Sequence, residues 1–111
     1  MARGVTLARG QVWLYRFREP DKQRPVVILT RNNAIPVLHT VLVAQVTSTI
    51  RGLPSEVALG VEEGLKHESV VNLDHIYTVE QARLARYLGS LRPAKLRAVC
   101  LALVVATGCD D

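Results

Sequence analysis

The sequence predicts an α+β fold in which a small, curled antiparallel sheet precedes a C-terminal helix. Short apolar or alternating runs, separated by turn-forming residues, fill residues 11–79 and are typical of strands. The pattern then changes, and apolar residues recur with a helical period from Pro93 onward, at Leu96, Val99, Cys100, Leu103 and Ala106. A chain of 111 residues has the size of one domain, to which we assign residues 1–111.

The first half of the chain carries the clearest strand signals. Residues 11–17 (QVWLYRF) alternate and are rich in β-branched and aromatic side chains. Residues 25–30 (PVVILT) form a continuous apolar run that suits a central strand, since proline is tolerated where a strand begins. Residues 38–47 (LHTVLVAQVT) predict a third, long strand, and polar turns at 19–23 and 32–33 separate the three runs.

Shorter signals follow in the second half. Residues 56–59, 69–72 and 75–79 favour three short strands, with a glycine-containing loop at residues 60–66. Residues 80–89 (EQARLARYLG) favour a short helix.

The last helix has recognisable ends. Pro93 suits the first helical turn, and Gly108 suits the position just after the last turn. Leu101, Val104 and Val105 lie off the main apolar stripe. The helix is therefore apolar on more than one side, and we expect it to pack against a partner as well as against its own sheet.

Basic residues are in excess, and most of them are arginine. Eleven of the 14 basic residues are Arg, and the formal net charge is +4. The net charge is +5 over residues 1–31, −4 over residues 32–82 and +3 over residues 83–111, so the positive field is expected where the two ends of the chain meet. Because arginine grips phosphate or carboxylate with two parallel hydrogen bonds, a nucleic acid or an acidic protein is the expected partner.

Several classes of protein are not expected. Residues 1–10 contain no apolar run like that of a signal peptide. The longest apolar run, residues 98–106, is shorter than the roughly 20 residues that span a bilayer, so no membrane partner is expected. If Cys100 and Cys109 share a helix, about 13 Å separates them, too far for a disulfide. Reduced thiols and the absence of an export signal predict a cytoplasmic location.

Motifs for metals and cofactors are also missing. No phosphate-binding loop, dinucleotide fingerprint, CxxC or HExxH occurs, and His39, His67 and His75 lack the spacing of metal ligands. We therefore expect neither a metal nor a cofactor. Asp74 and His75 would point to opposite faces of a strand and form no acid–base dyad, and residues 62–63 (EE) are interpreted as a solvated acidic turn.

Three short clusters place polar or basic residues at the ends of predicted strands. They are RGQVW (9–13), KQRP (22–25) and TSTIR (47–51). In this order and spacing they resemble the MazF/PemK toxin family, and the resemblance covers nearly the whole chain. The segments that carry it are RGQVW (9–13), KQRPVVIL (22–29), VAQVTSTIRGLPSEV (43–57), SVVNLDHIYTV (69–79) and the helix after LRP (91–93).

The resemblance implies the toxin of a type II toxin–antitoxin system, a metal-independent endoribonuclease that cleaves single-stranded mRNA at specific sequences. The implied fold is a small SH3-like curled antiparallel β-barrel with a C-terminal α-helix. The implied assembly is a homodimer that binds RNA in a groove across its interface, and a cognate antitoxin would occlude that groove.

The resemblance also assigns residues. Arg24 and Thr47 correspond to the catalytic pair of the family. The expected RNA-binding residues are Arg51, Ser48, Lys22, Gln11 and Trp13. Trp13 is a candidate for base stacking, although a core position is the stronger interpretation. The family often has an acid where Gln11 stands, and an acid in its longer loop before KxRP cannot be matched to Glu19 or Asp21.

Metal-free cleavage of RNA is chemically reasonable with these residues. The ribose 2′-hydroxyl attacks its own phosphate, which yields a 2′,3′-cyclic phosphate and a 5′-hydroxyl, so the enzyme must align the attack and neutralise charge. Arg24 can donate two N–H groups to the phosphate and Thr47 a third donor. Arginine is a poor base near neutral pH, and the general base stays unassigned.

Two other functions are compatible with such a barrel. One is a CcdB-like gyrase poison, which acts by binding protein and depends on the end of its C-terminal helix. The tail at residues 107–111 (TGCDD) does not resemble that ending. The other is a basic RNA-binding barrel without catalysis.

Overall fold

The computed structural model describes residues 6–17 and 23–110. Within them, six strands form one sheet in the order β4-β5-β3-β2-β1-β6, and every neighbouring pair is antiparallel. The predicted α+β fold with a curled antiparallel sheet and a terminal helix is confirmed. The elements are β1 (Gln11–Arg16), β2 (Gln23–Ile28), β3 (Thr40–Thr47), β4 (Glu56–Leu59), β5 (Ser69–Glu80), β6 (Leu84–Ser90) and α1 (Pro93–Thr107).

Side chains alternate across the sheet and build two hydrophobic clusters. Val12 and Val27 belong to the cluster beneath α1, which contributes Val99 to it. Their neighbours Trp13 and Val26 belong to the second cluster. Because successive residues of a strand point to opposite faces, the continuous apolar run in β2 serves both clusters, as a central strand requires.

The predicted helix ends are confirmed. α1 begins with Pro93, and Gly108 follows it in the left-handed conformation, with φ of 69°. The N–H of Gly108 donates to the carbonyl of Val104 at 2.8 Å, which closes the last turn. Lys95 Nζ donates to the carbonyl of Ala58 at 2.8 Å and ties the first turn of the helix to β4.

Residues 69–72 and 75–79 belong to one strand, not to the two that the sequence predicts. β5 pairs with β3 through Gln45–Asn72 and Ala44–Ile76, so residues 73–75 form a bulge opposite a single step of β3. A bulge bends a strand without ending it. Asp74 and His75 occupy this bulge.

The helix predicted over residues 80–89 is wrong. A 3-10 helix at Gln81–Arg83 leads directly into β6, which pairs with β1 through Tyr87 opposite Trp13. Without β6, one edge of β1 would expose its peptide groups. Only Gln81–Arg83 keep a helical turn, and pairing with β1 overrides the local helix preference of residues such as Leu84 and Ala85.

The loop before β5 is seated on β6 by a contact between two glycines. Gly64 has a φ of +89°, and a Cβ there would overlap the carbonyl oxygen of Leu88. A Cβ on Gly89 would overlap the carbonyl of Glu63. Residues 62–63 are only partly the solvated turn that the sequence predicts: Glu62 is exposed, whereas Glu63 is buried and its Oε1 accepts the N–H of Gly60 at 2.6 Å.

We expect Gly64→Ala to lower the free energy of unfolding more than Gly52→Ala. Both glycines have positive φ, and each substitution costs about 1–2 kcal/mol for that reason. Only Gly64 has a backbone atom in the way, since nothing lies within 4 Å of a Cβ on Gly52. The overlap should add about 1–3 kcal/mol. Urea unfolding of the two variants measures the difference, and equal losses would mean that the contact with β6 is unimportant.

Candidate active site

The register between β2 and β3 brings together the two residues of the expected catalytic pair. These strands pair through Val26–Gln45 and Val27–Ala44. Extended two residues past Val26–Gln45, the last paired position, this register would align Arg24 with Thr47. Residues opposite each other on antiparallel strands point to the same face.

Arg24 and Thr47 line one cleft of about 400 Å³. Its apolar lining includes Leu14, Pro25 and Val46. Strands β1, β2, β3 and β6 and the loop before β5 all contribute to its walls. The polar residues that line it are Gln23, Arg24, Thr47, Ser48, Lys66, His67, Ser69 and Arg86.

The cleft is strongly cationic. Arg24, Lys66 and Arg86 come from β2, the loop before β5 and β6, so three separate elements direct positive charge to one place. Among the described residues, those lining the cleft include no Asp or Glu. Low-dielectric walls lined by one sign of charge concentrate the field and attract an anionic ligand.

The hydroxyl of Thr47 is arranged to donate a hydrogen bond. Thr47 ends β3 and is half-buried. Its Oγ1 accepts the backbone N–H of Thr49 at 3.1 Å, which fixes the oxygen at the start of the following turn. The hydroxyl hydrogen remains available to a ligand, because a hydroxyl both donates and accepts.

A glutamate shapes the loop that carries Arg51. One carboxylate oxygen of Glu56, Oε1, accepts the backbone N–H groups of Arg51, Gly52 and Leu53 at 3.2, 2.9 and 3.2 Å. Hydrogen bonds to a charged acceptor are stronger than neutral ones. Arg51 is exposed on this loop and does not line the cleft, whereas Ser48 does. Lys22 lies outside the described residues.

Gln11 and Trp13 are parts of the scaffold. Trp13 has none of its surface exposed, and its Nε1 donates to Gln11 Oε1 at 2.9 Å. The same oxygen accepts the N–H of Ala8, and Gln11 Nε2 donates to the carbonyl of Thr6, both at 2.9 Å. A fully buried ring offers no face to an RNA base, and the side-chain amide of Gln11 is hydrogen-bonded within the fold. Neither residue therefore enters the set that we propose to contact RNA.

The sequence analysis did not assign three ionisable cleft residues, Lys66, His67 and Arg86, to the site. The helix predicted over residues 80–89 concealed the position of Arg86, because Arg86 and Leu88 point to the same side only when the segment is a strand. Lys66 and His67 lie in a loop with no spacing that ties them to a motif. Only the chain path places them beside the pair.

Comparison with known proteins identifies the family. A model of the PemK-like, MazF-like toxins of type II toxin–antitoxin systems matches residues 8–106. The chain belongs to this family.

Individual relatives agree with the assignment. The probable endoribonuclease MazF5 of Mycobacterium tuberculosis is 47% identical over 106 residues, covering 93% of this chain and 94% of the relative. Among solved structures, the Mycobacterium tuberculosis toxin MazF-mt6 has a TM-score of 0.81 at 36% identity, covering 88% of this chain and 96% of that one. This chain is a MazF-type endoribonuclease toxin of a type II system.

A further relative has been solved with its partner. An endoribonuclease from a mycobacterial species, in complex with its cognate antitoxin, has a TM-score of 0.83 at 30% identity. The match covers 93% of this chain and 96% of that one.

In this chain, no helix among the described residues has the length and apolar content that crossing a membrane requires.

We expect Glu56→Ala to loosen the loop that carries Arg51. Losing a charged acceptor of three N–H groups should cost about 1.5 kcal/mol or more, which raises the open population of the loop about tenfold. Limited trypsin digestion, with mass spectrometry of cleavage after Arg51, measures this opening. Glu62→Ala is the matched control, since Glu62 is an exposed glutamate of the 3-10 helix Val61–Glu63. Equal digestion of both variants would contradict the role of Glu56.

Proposed function

We propose that this toxin is a metal-independent, sequence-specific endoribonuclease that cleaves single-stranded mRNA to 2′,3′-cyclic phosphate and 5′-hydroxyl ends. One observation carries the proposal. Arg24 and Thr47, the pair that the family resemblance names, line the same cationic cleft. Single-stranded RNA is the proposed substrate because bases are read most readily when they are unstacked.

The nucleophile comes from the substrate. The ribose 2′-hydroxyl attacks the adjacent phosphorus, and negative charge grows on the nonbridging oxygens as the new bond forms. Arg24 donates two N–H groups to these oxygens and Thr47 donates its hydroxyl hydrogen. Both groups act on charge that develops in the transition state, where preorganised donors contribute most to the rate.

Neighbouring cations extend the binding surface along the RNA. Lys66 and Arg86 lie on the walls of the cleft, where they neutralise the scissile phosphate or the next one. Ser48 follows Thr47 in the cleft and offers a further donor. Arg51, on the loop fixed by Glu56, and Lys22, just before β2, are assigned to flanking phosphates.

A second copy of the chain completes the proposed RNA groove. Leu101 and Val105 are one helical turn apart on α1, and 68% and 53% of their surfaces are exposed. Val99 and Ala102 of the same helix are buried in the hydrophobic cluster beneath it. An exposed apolar stripe of this kind favours helix packing against a partner, and we propose a homodimer.

An antitoxin is the second proposed protein partner. Support comes from the mycobacterial endoribonuclease solved in complex with its cognate antitoxin. The cationic cleft would suit an acidic segment as well as RNA, because carboxylate and phosphate present similar acceptors to arginine. Occupation of the cleft by such a segment would exclude the substrate.

We expect the wild-type chain to cleave single-stranded RNA in excess EDTA, and Arg24→Ala to abolish this cleavage. Thr47→Ala should slow it about 100-fold, the usual effect of removing one donor to a developing oxyanion. End-mapping of the RNA and chromatography of the 2′,3′-cyclic product measure both effects.

The matched control for these variants is Arg31→Ala. Arg31 is an exposed arginine three residues after the end of β2, and it does not line the cleft. It should retain near-wild-type cleavage. Full activity of Arg24→Ala would contradict the site, and RNA binding without any cyclic product in the wild type would favour a noncatalytic barrel.

We expect the double substitution Leu101→Lys and Val105→Lys to weaken self-association about tenfold or more. Burying two such side chains contributes about 1.5–3 kcal/mol each, and two lysines would be desolvated instead. Sedimentation across a concentration series measures the monomer–dimer equilibrium. Val37→Lys is the control, since Val37 is 78% exposed and belongs to the 3-10 helix Ile35–Val37, whose Ile35 packs in the second cluster and not in the one beneath α1. Loss of association with Val37→Lys alone would place the interface elsewhere.

A further inference from the structure

We propose that His67 is the general base, the group that accepts the proton of the attacking 2′-hydroxyl. This inference rests on the proposed function, since it names the missing proton acceptor of that reaction. His67 lines the cleft that contains Arg24 and Thr47. Its side chain is exposed, so an RNA strand in the cleft can reach the imidazole.

The composition of the cleft leaves few alternatives. Of the side chains that accept protons near neutral pH, the described lining residues include one imidazole and neither a carboxylate nor a thiol. Arginine and lysine side chains are ordinarily protonated in that range and are poor bases. Thr47 and Ser48 are hydroxyls, which suit hydrogen-bond donation.

Glu68, next to His67 in sequence, is exposed but does not line the cleft, and three other carboxylates are engaged within the fold. Glu63 is buried and accepts the N–H of Gly60. Asp74 lies in the bulge of β5, where its Oδ2 accepts the hydroxyl of Ser55 at 2.5 Å. Glu56 accepts the three N–H groups of the Arg51 loop. None of these residues lines the cleft.

The backbone around His67 is held from two directions. Ser69 is buried at the start of β5, and its hydroxyl donates to the carbonyl of His67 at 3.0 Å. Three residues before His67, Gly64 makes the close contact with β6. The loop therefore presents an exposed side chain on a backbone held at Gly64 and Ser69, which suits a group that must stay within reach of one reacting atom.

The step balances without a metal or cofactor. The O–H bond of the 2′-hydroxyl breaks, and its proton moves to the unprotonated ring nitrogen of His67. The 2′-oxygen forms a bond to phosphorus, and the bond between phosphorus and the 5′-oxygen breaks. The departing 5′-oxygen takes a proton from solvent water, which reaches the open cleft, and imidazolium later returns its proton to solvent.

The test is single-turnover cleavage of a single-stranded RNA whose cut site has first been mapped with the wild-type chain. We expect His67→Ala and His67→Gln to slow cleavage about 100-fold or more, the usual contribution of a general base. Binding of the same RNA with a 2′-deoxy sugar at the cut site should change less than about threefold. Added imidazole should restore part of the activity of His67→Ala and none of that of Arg24→Ala.

Three control variants sharpen the result. His75→Ala removes an exposed histidine outside the cleft and should cleave normally. Glu19→Gln and Asp21→Asn test two acids that lie outside the described residues, and both should retain most activity. Circular dichroism of every variant verifies its fold.

The possible outcomes separate the two proposals. Normal cleavage by both His67 variants overturns this inference, as does a loss that resides entirely in binding or one that imidazole fails to rescue. A loss of the chemical step in Glu19→Gln or Asp21→Asn, with His67→Ala active, moves the base to that residue. A wild-type chain that yields no cyclic product overturns the proposed function, and the assignment of His67 with it.

Discussion

The pairing of β2 with β3 is the constraint on which the rest of this structure depends. The register through Val26–Gln45 aligns both strands so that apolar side chains reach both hydrophobic clusters. A slip of one residue would turn every side chain to the wrong face, so core burial fixes the register strongly. Arg24 and Thr47 lie two residues beyond the last pair on their strands and line one cleft, so the free energy that buries the core also positions the candidate catalytic pair.

The second half of the chain completes what this pairing begins. β6 adds to the free edge of β1 and brings Arg86 opposite Leu14 on the wall of the cleft. The glycine contact then seats the loop of Lys66 and His67 on β6. Basic residues from both ends of the chain thus meet in one field, as the uneven charge along the sequence predicts.

Most of the fold could be predicted because its signals are local. Alternation and apolar runs locate β1 to β4, and Pro93 and Gly108 mark the ends of α1. The bulge in β5 and the identity of β6 depend on partners distant in sequence, which periodicity does not reveal. In the same way, sequence motifs identified Arg24 and Thr47. The position of His67 depends on the contact between Gly64 and β6, which no sequence motif predicts.

The excess of arginine has two separate physical causes. Some arginines support the scaffold: Arg9 Nη2 donates to Cys100 Sγ at 2.7 Å, and Arg83 Nε donates to the carbonyl of Arg16 at 3.0 Å. Others, such as Arg24 and Arg86, line the cleft. A guanidinium serves both purposes because it carries several donors in a rigid plane, which can satisfy a carbonyl or sulfur within the fold as well as a phosphate in solution. The number of arginines therefore overestimates how many are available to bind RNA. The lining of the cleft shows which arginines can face a substrate.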